Sequence, residues 1–342
     1  MPGGALPYGV QHLRKHFAVT WSDSQLNGLW RTRPSQNVGR AVRLLAPGLQ
    51  GSLAACYAMP QLHRADVALS IFENEGLAFA RLQQLPRFRR NAIPHVILAC
   101  WLAEACQYMS SSRLRSIRRS IESISLVGVF SANQVAVLSE YLRLEPERIC
   151  AVSYGVDSEY FRQSAASGPA GGGGVVAVGR DSRRDYATLL EAVRITGVHL
   201  TLVCYPWNIA GLKLPPNVTL RLGIRPEEYR RLLHSADLVV TPTVAPAYPC
   251  GQSVMLEAMS MGKATLTTDS PAIRDYLTDG VDGILTPSRD PLQMAKMIET
   301  LLADGEYRQA LGNAAAKTVR RRFSLEHLWH AVSALLLASC GA

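Results

Sequence analysis

Residues 174–206 run GVVAVGRDSRRDYATLLEAVRITGVHLTLVCYP. GVVAVGR is a short apolar run rich in β-branched side chains, RDYATLLEAVRIT carries apolar residues at helical spacing, and LTLVCYP is apolar again. Strand, helix, strand in so few residues is the unit that builds a parallel sheet, because parallel neighbours need a crossover and a helix supplies it. The alternation continues downstream. PEEYRRLLHSAD (226–237) predicts a helix, with Pro226 suited to its first turn and Glu227 and Glu228 to the positive end of its dipole. DLVVTPT predicts a strand, followed by a helix at 253–261, a strand at KATLTTD, a helix over PAIRDYLTDG, the short run GILTP and a helix from Pro291 to Leu302. The expected fold class is α/β, with a parallel sheet covered on both faces.

Upstream, HFAVTWS (16–22), ADVALSIFE (65–73), PHVILACW (94–101), LVGVFSA (126–132) and RICAVSY (148–154) predict strands separated by helical stretches such as SRLRSIRRSIESI (112–124). A second α/β domain follows from them. SAASGPAGGGG (164–174) is low in complexity and too flexible to pack, as an interdomain linker requires. The expected organisation is an N-terminal domain over 1–163, a linker over 164–174, a C-terminal domain over 175–322 and a terminal helix over 323–342. That helix has Ser324 as its N-cap and an apolar face that must be buried.

A chain of 342 residues is long enough for two cores. Hydrophobic residues at 48% and charged residues at 18% exclude a disordered acidic tail, and 19 scattered prolines exclude a collagen-like repeat. The formal charge is +9, and the excess lies early: residues 1–152 hold 17 Lys+Arg against 9 Asp+Glu. Such asymmetry fits an anionic partner, phosphorylated ligand or lipid headgroups, or else a solubilising surface. No nucleic acid partner is expected, because the arginines are not interleaved with base-stacking aromatics. The 7 cysteines are scattered without a Cys-x-x-Cys pair, so neither a disulfide framework nor a zinc knuckle is expected and a reducing cytosol fits. No cationic-then-apolar leader and no apolar run of spanning length is seen. The expected location is cytoplasmic, with any membrane contact peripheral at the inner face.

Two stretches point to chemistry. Gly179-Arg180 ends a predicted strand and is followed by Arg183 and Arg184, where an open α/β sheet binds ligands and arginine offers planar donors to phosphate oxygens. A solvated basic turn is the alternative. In PCGQSVMLEAMSMGKATLTTD (249–269) a turn at Gly251 runs into a helix near Ser253, whose unpaired N–H groups would face an anion. Glu257, one turn in, suits the vicinal hydroxyls of a ribose or is an ordinary helix Glu. Gly262 closes that helix with room for a left-handed residue.

Taken in order, VGR…TLLEA, LPPNVTLRLG (214–223), LLHSADLVVTPT (232–243), LEAMSMGK (256–263) and DGVDGILTP (279–287) resemble the C-terminal half of the retaining GT-B glycosyltransferases of family 4. SYGVDSEYF (153–161) resembles that family's interdomain hinge, so the resemblance spans residues 150–325. It implies two Rossmann-like domains facing across a cleft, with the C-terminal helix returning to the N-domain. It also implies metal-independent transfer, with retention, of a sugar from a UDP- or GDP-sugar to a hydroxyl of a glycan, glycolipid or small molecule. On this resemblance Arg180 is the catalytic diphosphate-binding arginine, beside Gly179, and Arg184 stands where the family has a lysine that grips the same diphosphate. Glu257 matches the second Glu of the Glu-x7-Glu motif, which binds ribose. The amides of Gly251, Gln252, Ser253 and Val254 match the helix start that faces phosphate and sugar. No cofactor is implied, the nucleotide-sugar being a co-substrate, and no metal site, since no Asp-x-Asp motif is present.

The chain also departs from the family. The first Glu of the motif falls on Pro249, followed by Cys250 and Gly251 where the family has Gly-Phe. The N-domain histidine, expected where IPHVILACW ends, is replaced near Cys100 and Trp101, and His95 lies too early to take its role. PGGALPYG (2–9) looks like the family's glycine-rich loop with no strand before it. Gly3 and Gly4 would let the backbone approach diphosphate or acceptor, or else belong to a frayed terminus. These departures keep two other functions in view: a nucleotide-sugar epimerase of the same architecture, which needs an acid and base pair not evident here, and a non-catalytic nucleotide-sugar-binding partner subunit.

Three weaker features complete the set. Glu73 and Glu75 in FENEG (72–76) are acceptor-side candidates or ordinary N-terminal helix charges. His327 and His330 share a helix face without a carboxylate or cysteine at ligand spacing, which favours a structural role. The basic helix of Arg113, Arg115, Arg118 and Arg119 fits an anionic membrane surface or a solvated face.

Overall fold

The computed structural model of the chain describes residues 7–15, 17–19, 65–162 and 173–341. It divides into two units, one reaching Val152 and taking in Trp329–Ala342, the other Ser153–Leu328. Gly3, Gly4 and most of the glycine-rich stretch 164–174 lie outside the described residues, as does most of HFAVTWS, whose residues 17–19 form no strand.

In the first unit β1 (Ala68–Ile71), β2 (His95–Ala99), β3 (Leu126–Val129) and β4 (Ile149–Ala151) lie side by side in chain order, each pair parallel. β2 is buried along its whole length, the mark of an inner parallel strand. The crossovers hold α1 (Glu73–Gln84), α2 (Pro86–Arg89), α3 (Leu102–Gln107), α4 (Ser111–Ile121) and α5 (Asn133–Leu142). Their apolar stripes meet the sheet in one cluster, with Ala80, Ile117, Ile121 and Leu138 against Ile97, Ala99, Val127 and Val129.

In the second unit β5 (Val175–Val178), β6 (Leu200–Val203), β7 (Val218–Arg221), β8 (Leu238–Thr241), β9 (Ala264–Thr268) and β10 (Ile284–Thr286) form a parallel sheet in the order β10-β9-β8-β5-β6-β7. The first strand stands in the middle. The chain winds outward to β7, crosses back to β8 and winds the other way, which makes the gap between the ends of β5 and β8 the topological switch point. Alternation along β5 serves both faces: Val175 and Ala177 pack with α6 (Tyr186–Thr196) and α9 (Pro291–Ala303). Val176 packs with α7 (Pro226–Ser235) and α8 (Gln252–Ser260).

Three elements differ from expectation. The run 305–322 is a helix, α10 (Gly305–Arg322), that sequence periodicity does not announce. Its buried stripe is Leu311, Gly312, Ala315, Ala316 and Val319, mostly small residues with little apolar signal. The stripe is small because a Cβ at Gly312 would lie 2.0 Å from Gly262 O, so backbone meets backbone. PAIRDYLTDG forms only the 3-10 turn Ile273–Asp275, because Asp282 Oδ1 takes the N–H of Thr278 at 2.7 Å and ends it. LPPNVTLRLG supplies the strand β7 at the edge of the sheet, with alternating half-buried and exposed residues.

The last helix, α11 (Leu325–Cys340), starts in the second unit and from Trp329 onward belongs to the first. Ser324 Oγ accepts the N–H of His327 at 3.3 Å, the expected N-cap. Trp329, Val332 and Leu336 are buried. Gly128 on β3 makes room for its neighbour in the sheet, since a Cβ there would lie 2.6 Å from Leu98 Cδ2 of β2, while Leu335 of the helix would stand at ordinary contact distance, 3.4 Å.

Candidate functional site

The switch point of the second sheet is built around one guanidinium group. Gly179 follows β5, and a Cβ on it would lie 2.4 Å from Arg184 Nε; a Cβ on Gly251 would lie 2.8 Å from Arg184 Nη1. Arg184 therefore occupies a slot that exists only because both flanking residues lack side chains. Gly251 also has φ +85°, a conformation that disfavours any other residue. The backbone of Arg184 is pinned by pairing with Thr243, by Asp185 N–H donating to Pro242 O at 3.1 Å and by Val244 N–H donating to Arg183 O at 3.0 Å. Tyr186 closes the strand end, its hydroxyl donating to Gly179 O at 2.7 Å. Arg184 is 9% exposed, and its Nε and Nη1 have no hydrogen-bond partner among the described residues. A buried cation with two idle donors is costly on its own and is stabilised when anionic oxygens enter the slot.

Two further groups stitch this slot together. The Asp181 carboxylate accepts the Tyr248 hydroxyl at 2.7 Å and the Arg183 N–H at 2.8 Å, tying the turn after β5 to the segment leading into α8. The Asn208 side chain donates to Asp181 O at 3.0 Å and Arg180 O at 3.3 Å, fixing the same turn from the side of β6. Arg180 itself is exposed. Cys250 is buried between these groups, and burial pushes its thiol up to about 12, only partly opposed by Arg184, so it stays protonated.

At the start of α8 the amide of Gln252 donates to Pro249 O at 3.2 Å and that of Met255 to Gly251 O at 3.1 Å. The first-turn amides left open are those of Ser253 and Val254, not that of Gln252. Gly262 takes the left-handed conformation after the helix, φ +72°, as expected. One turn in, Glu257 Oε2 accepts the hydroxyl of Tyr229 from α7. Burial pushes the Glu257 carboxyl up to about 7, against the lowering effect of that hydrogen bond. Gly179, Arg180, Arg184, Gly251, Ser253, Val254 and Glu257 are thus gathered on two adjacent strand ends. Asp181, Tyr248 and Tyr229 complete the site and carry no local sequence signal, because each acts through a partner on another element.

In the first unit the expected residues are placed differently. Glu73 is buried, and its two oxygens accept the N–H groups of Cys100 at 3.1 Å and Trp101 at 3.0 Å, so it anchors the turn between β2 and α3. Burial raises its carboxyl above the ordinary value despite these bonds. Glu75 is half-buried beside it. His95 is fully buried, its Nε2 2.9 Å from Ser70 Oγ and its ring edge-on to Phe79, and burial holds it down to about 3. His327 and His330 are exposed, and the described residues hold no cluster of three or more His, Cys, Asp or Glu arranged for a metal. Arg118 caps α5, both Nε and Nη2 donating to Tyr141 O, whereas Arg113, Arg115 and Arg119 are exposed. No helix of the described residues is long and apolar enough to cross a membrane.

Residues 174–304, which contain this site, match the family "Glycosyl transferases group 1". The lipopolysaccharide core biosynthesis glycosyltransferase LpsE of Rhizobium meliloti is 29% identical over 169 residues, 47% of this chain and 49% of the relative's length. The chain thus spans about half of that relative. Among solved structures, Anabaena HepE in complex with UDP-glucose has a TM-score of 0.68 at 19% identity over 87% of this chain and 84% of its own. Sucrose-phosphate synthase from Thermosynechococcus elongatus also has a TM-score of 0.68, at 18% identity over 86% and 80%. The chain has the GT-B fold of these proteins, built from two Rossmann-like units.

Proposed function

We propose that this protein is a retaining, metal-independent glycosyltransferase of family 4 type, moving a hexosyl group from a nucleoside-diphosphate sugar to a hydroxyl-bearing acceptor. The observation that carries this reading is the buried Arg184 guanidinium, idle at Nε and Nη1 between two glycines at the switch point. In sugar transfer the bond from C1 to the β-phosphate oxygen breaks and negative charge accumulates on the diphosphate. Arg184, the exposed Arg180 and the amides of Ser253 and Val254 stabilise that charge. The acceptor oxygen bonds to C1 on the same face, and its proton passes to the departing phosphate oxygen. Glu257 accepts the ribose hydroxyls. With Pro249 where the family has a glutamate, the sugar is held without a carboxylate at that position.

The names of the similar proteins guide the choice of substrates. HepE binds UDP-glucose, which makes UDP-glucose the first donor to try, with GDP-sugars next. LpsE acts in lipopolysaccharide core biosynthesis, which points to a glycan or glycolipid acceptor handled at the cytoplasmic face of an anionic membrane, toward which Arg113, Arg115 and Arg119 would turn. Thermal-shift titration with UDP and GDP, followed by acceptor-dependent release of nucleoside diphosphate, tests the proposal. Specific stabilisation by one diphosphate is expected, and release only with acceptor present. A melting temperature unmoved by every nucleoside diphosphate would overturn it; sugar interconversion without transfer would favour an epimerase.

A further inference from the structure

Among the described residues, Tyr229 is the side chain that hydrogen-bonds Glu257 from another helix. Its N–H donates to Arg225 O at 2.8 Å in the first turn of α7, and its ring stands edge-on to Phe161 at 6.1 Å between centroids. Phe161 belongs to an apolar cluster with Val254 and Ala258 of α8, so packing fixes the phenol against the helix that carries Glu257. The hydroxyl donates to Glu257 Oε2, and Oε1 has no partner among the described residues. The ionisable groups around this pair are Tyr229 itself on α7, Arg184 from the turn after β5 and Tyr154 from the segment before Val156. A carboxylate tied at one oxygen loses the freedom to rotate, and its other oxygen then points one way.

We propose that Tyr229 is a positioning residue whose hydroxyl sets the Glu257 carboxylate so that Oε1 accepts a ribose hydroxyl, making the site selective for ribonucleoside over 2′-deoxyribonucleoside diphosphates. This rests on the donor-site reading above and adds the group that orients its carboxylate. Because burial moves Glu257 up to about 7, affinity for a ribonucleotide falls as the pH drops through that value and the carboxylate takes up a proton. Tyr229 bonds to the ionised form, so its loss raises the pH at which affinity falls.

Calorimetric titration of the full chain with UDP, GDP, ADP and their 2′-deoxy counterparts between pH 6 and 8.5 tests this, on the unaltered protein, Tyr229→Phe and Glu257→Gln. The unaltered protein should prefer the ribonucleotide. Tyr229→Phe should weaken that ribonucleotide about tenfold, leave the 2′-deoxy form unchanged and move the pH midpoint upward. Glu257→Gln should abolish both the ribose preference and the pH dependence. An unchanged ribonucleotide affinity in Tyr229→Phe, or equal losses for the two sugars, overturns the positioning role while the donor site stands. If Tyr229→Phe does not fold, an unaltered ribose preference in Glu257→Gln overturns it instead. Binding of none of the three diphosphates to the unaltered protein overturns the donor-site reading and this proposal together.

Discussion

The carboxyl ends of the two sheets each bury a charge, and the two charges are treated in opposite ways. In the first unit the Glu73 carboxylate receives a backbone N–H on each oxygen, from Cys100 and Trp101. In the second the Arg184 guanidinium is also buried, yet Nε and Nη1 donate to nothing among the described residues. A satisfied buried charge holds a turn in place; an unsatisfied one keeps donors that can serve an anion. On the donor-site reading proposed above, the contrast separates scaffold from site among residues that look alike in sequence, each a charged side chain just past a parallel strand.

Substitutions at each end can break or sharpen that contrast. Arg184→Ala should lower turnover about a hundredfold, the scale of one preorganised donor lost, without lowering the melting temperature; a large drop in stability with unchanged turnover would make Arg184 scaffold too. Glu73→Ala should do the reverse, costing about 2 kcal/mol in chemical denaturation because two amides lose their acceptor, while UDP affinity holds. His95 lies on the scaffold side. Its folded value near 3 is below its ordinary 6.5, so the unfolded chain binds the proton first. Its contribution is complete above pH 6.5 and is lost as pH falls toward 3, by about 1.4 kcal/mol per pH unit. Melting curves of His95→Gln should therefore fall less steeply below pH 6.5 than those of the unaltered protein. The smallest effect belongs to Arg180→Ala: an exposed charge is screened, and UDP affinity should drop by about fivefold, with a strong dependence on salt. A larger loss than at Arg184 would move the centre of the site to the surface of the turn.

Much of the second unit is legible along the chain. Five of its six strands follow from apolar runs, and the glycines at 179, 251 and 262 stand at turns where their missing side chains matter. The exceptions have physical causes. α10 buries glycine and alanine and so shows no apolar stripe, and the turn at 273–275 is cut short by the Asp282 carboxylate rather than by any helix breaker. In the first unit β1 to β4 fall within the apolar runs, but the charge of Glu73 gives no sign that it points inward to two amides.

The sequence by itself determined the alternation of strands and helices, the glycine positions and the presence of arginines past β5 and a glutamate one turn into α8. Each of these is a local property, set by side-chain periodicity and backbone freedom within a few residues. Only the tertiary structure decided which arginine is buried and idle, that Gln252 spends its amide on Pro249, and that Tyr248 and Tyr229 hold carboxylates 67 and 28 residues away. Burial and hydrogen-bond satisfaction are sums over neighbours brought together by the sheet, and no stretch of chain contains them until the switch point has formed.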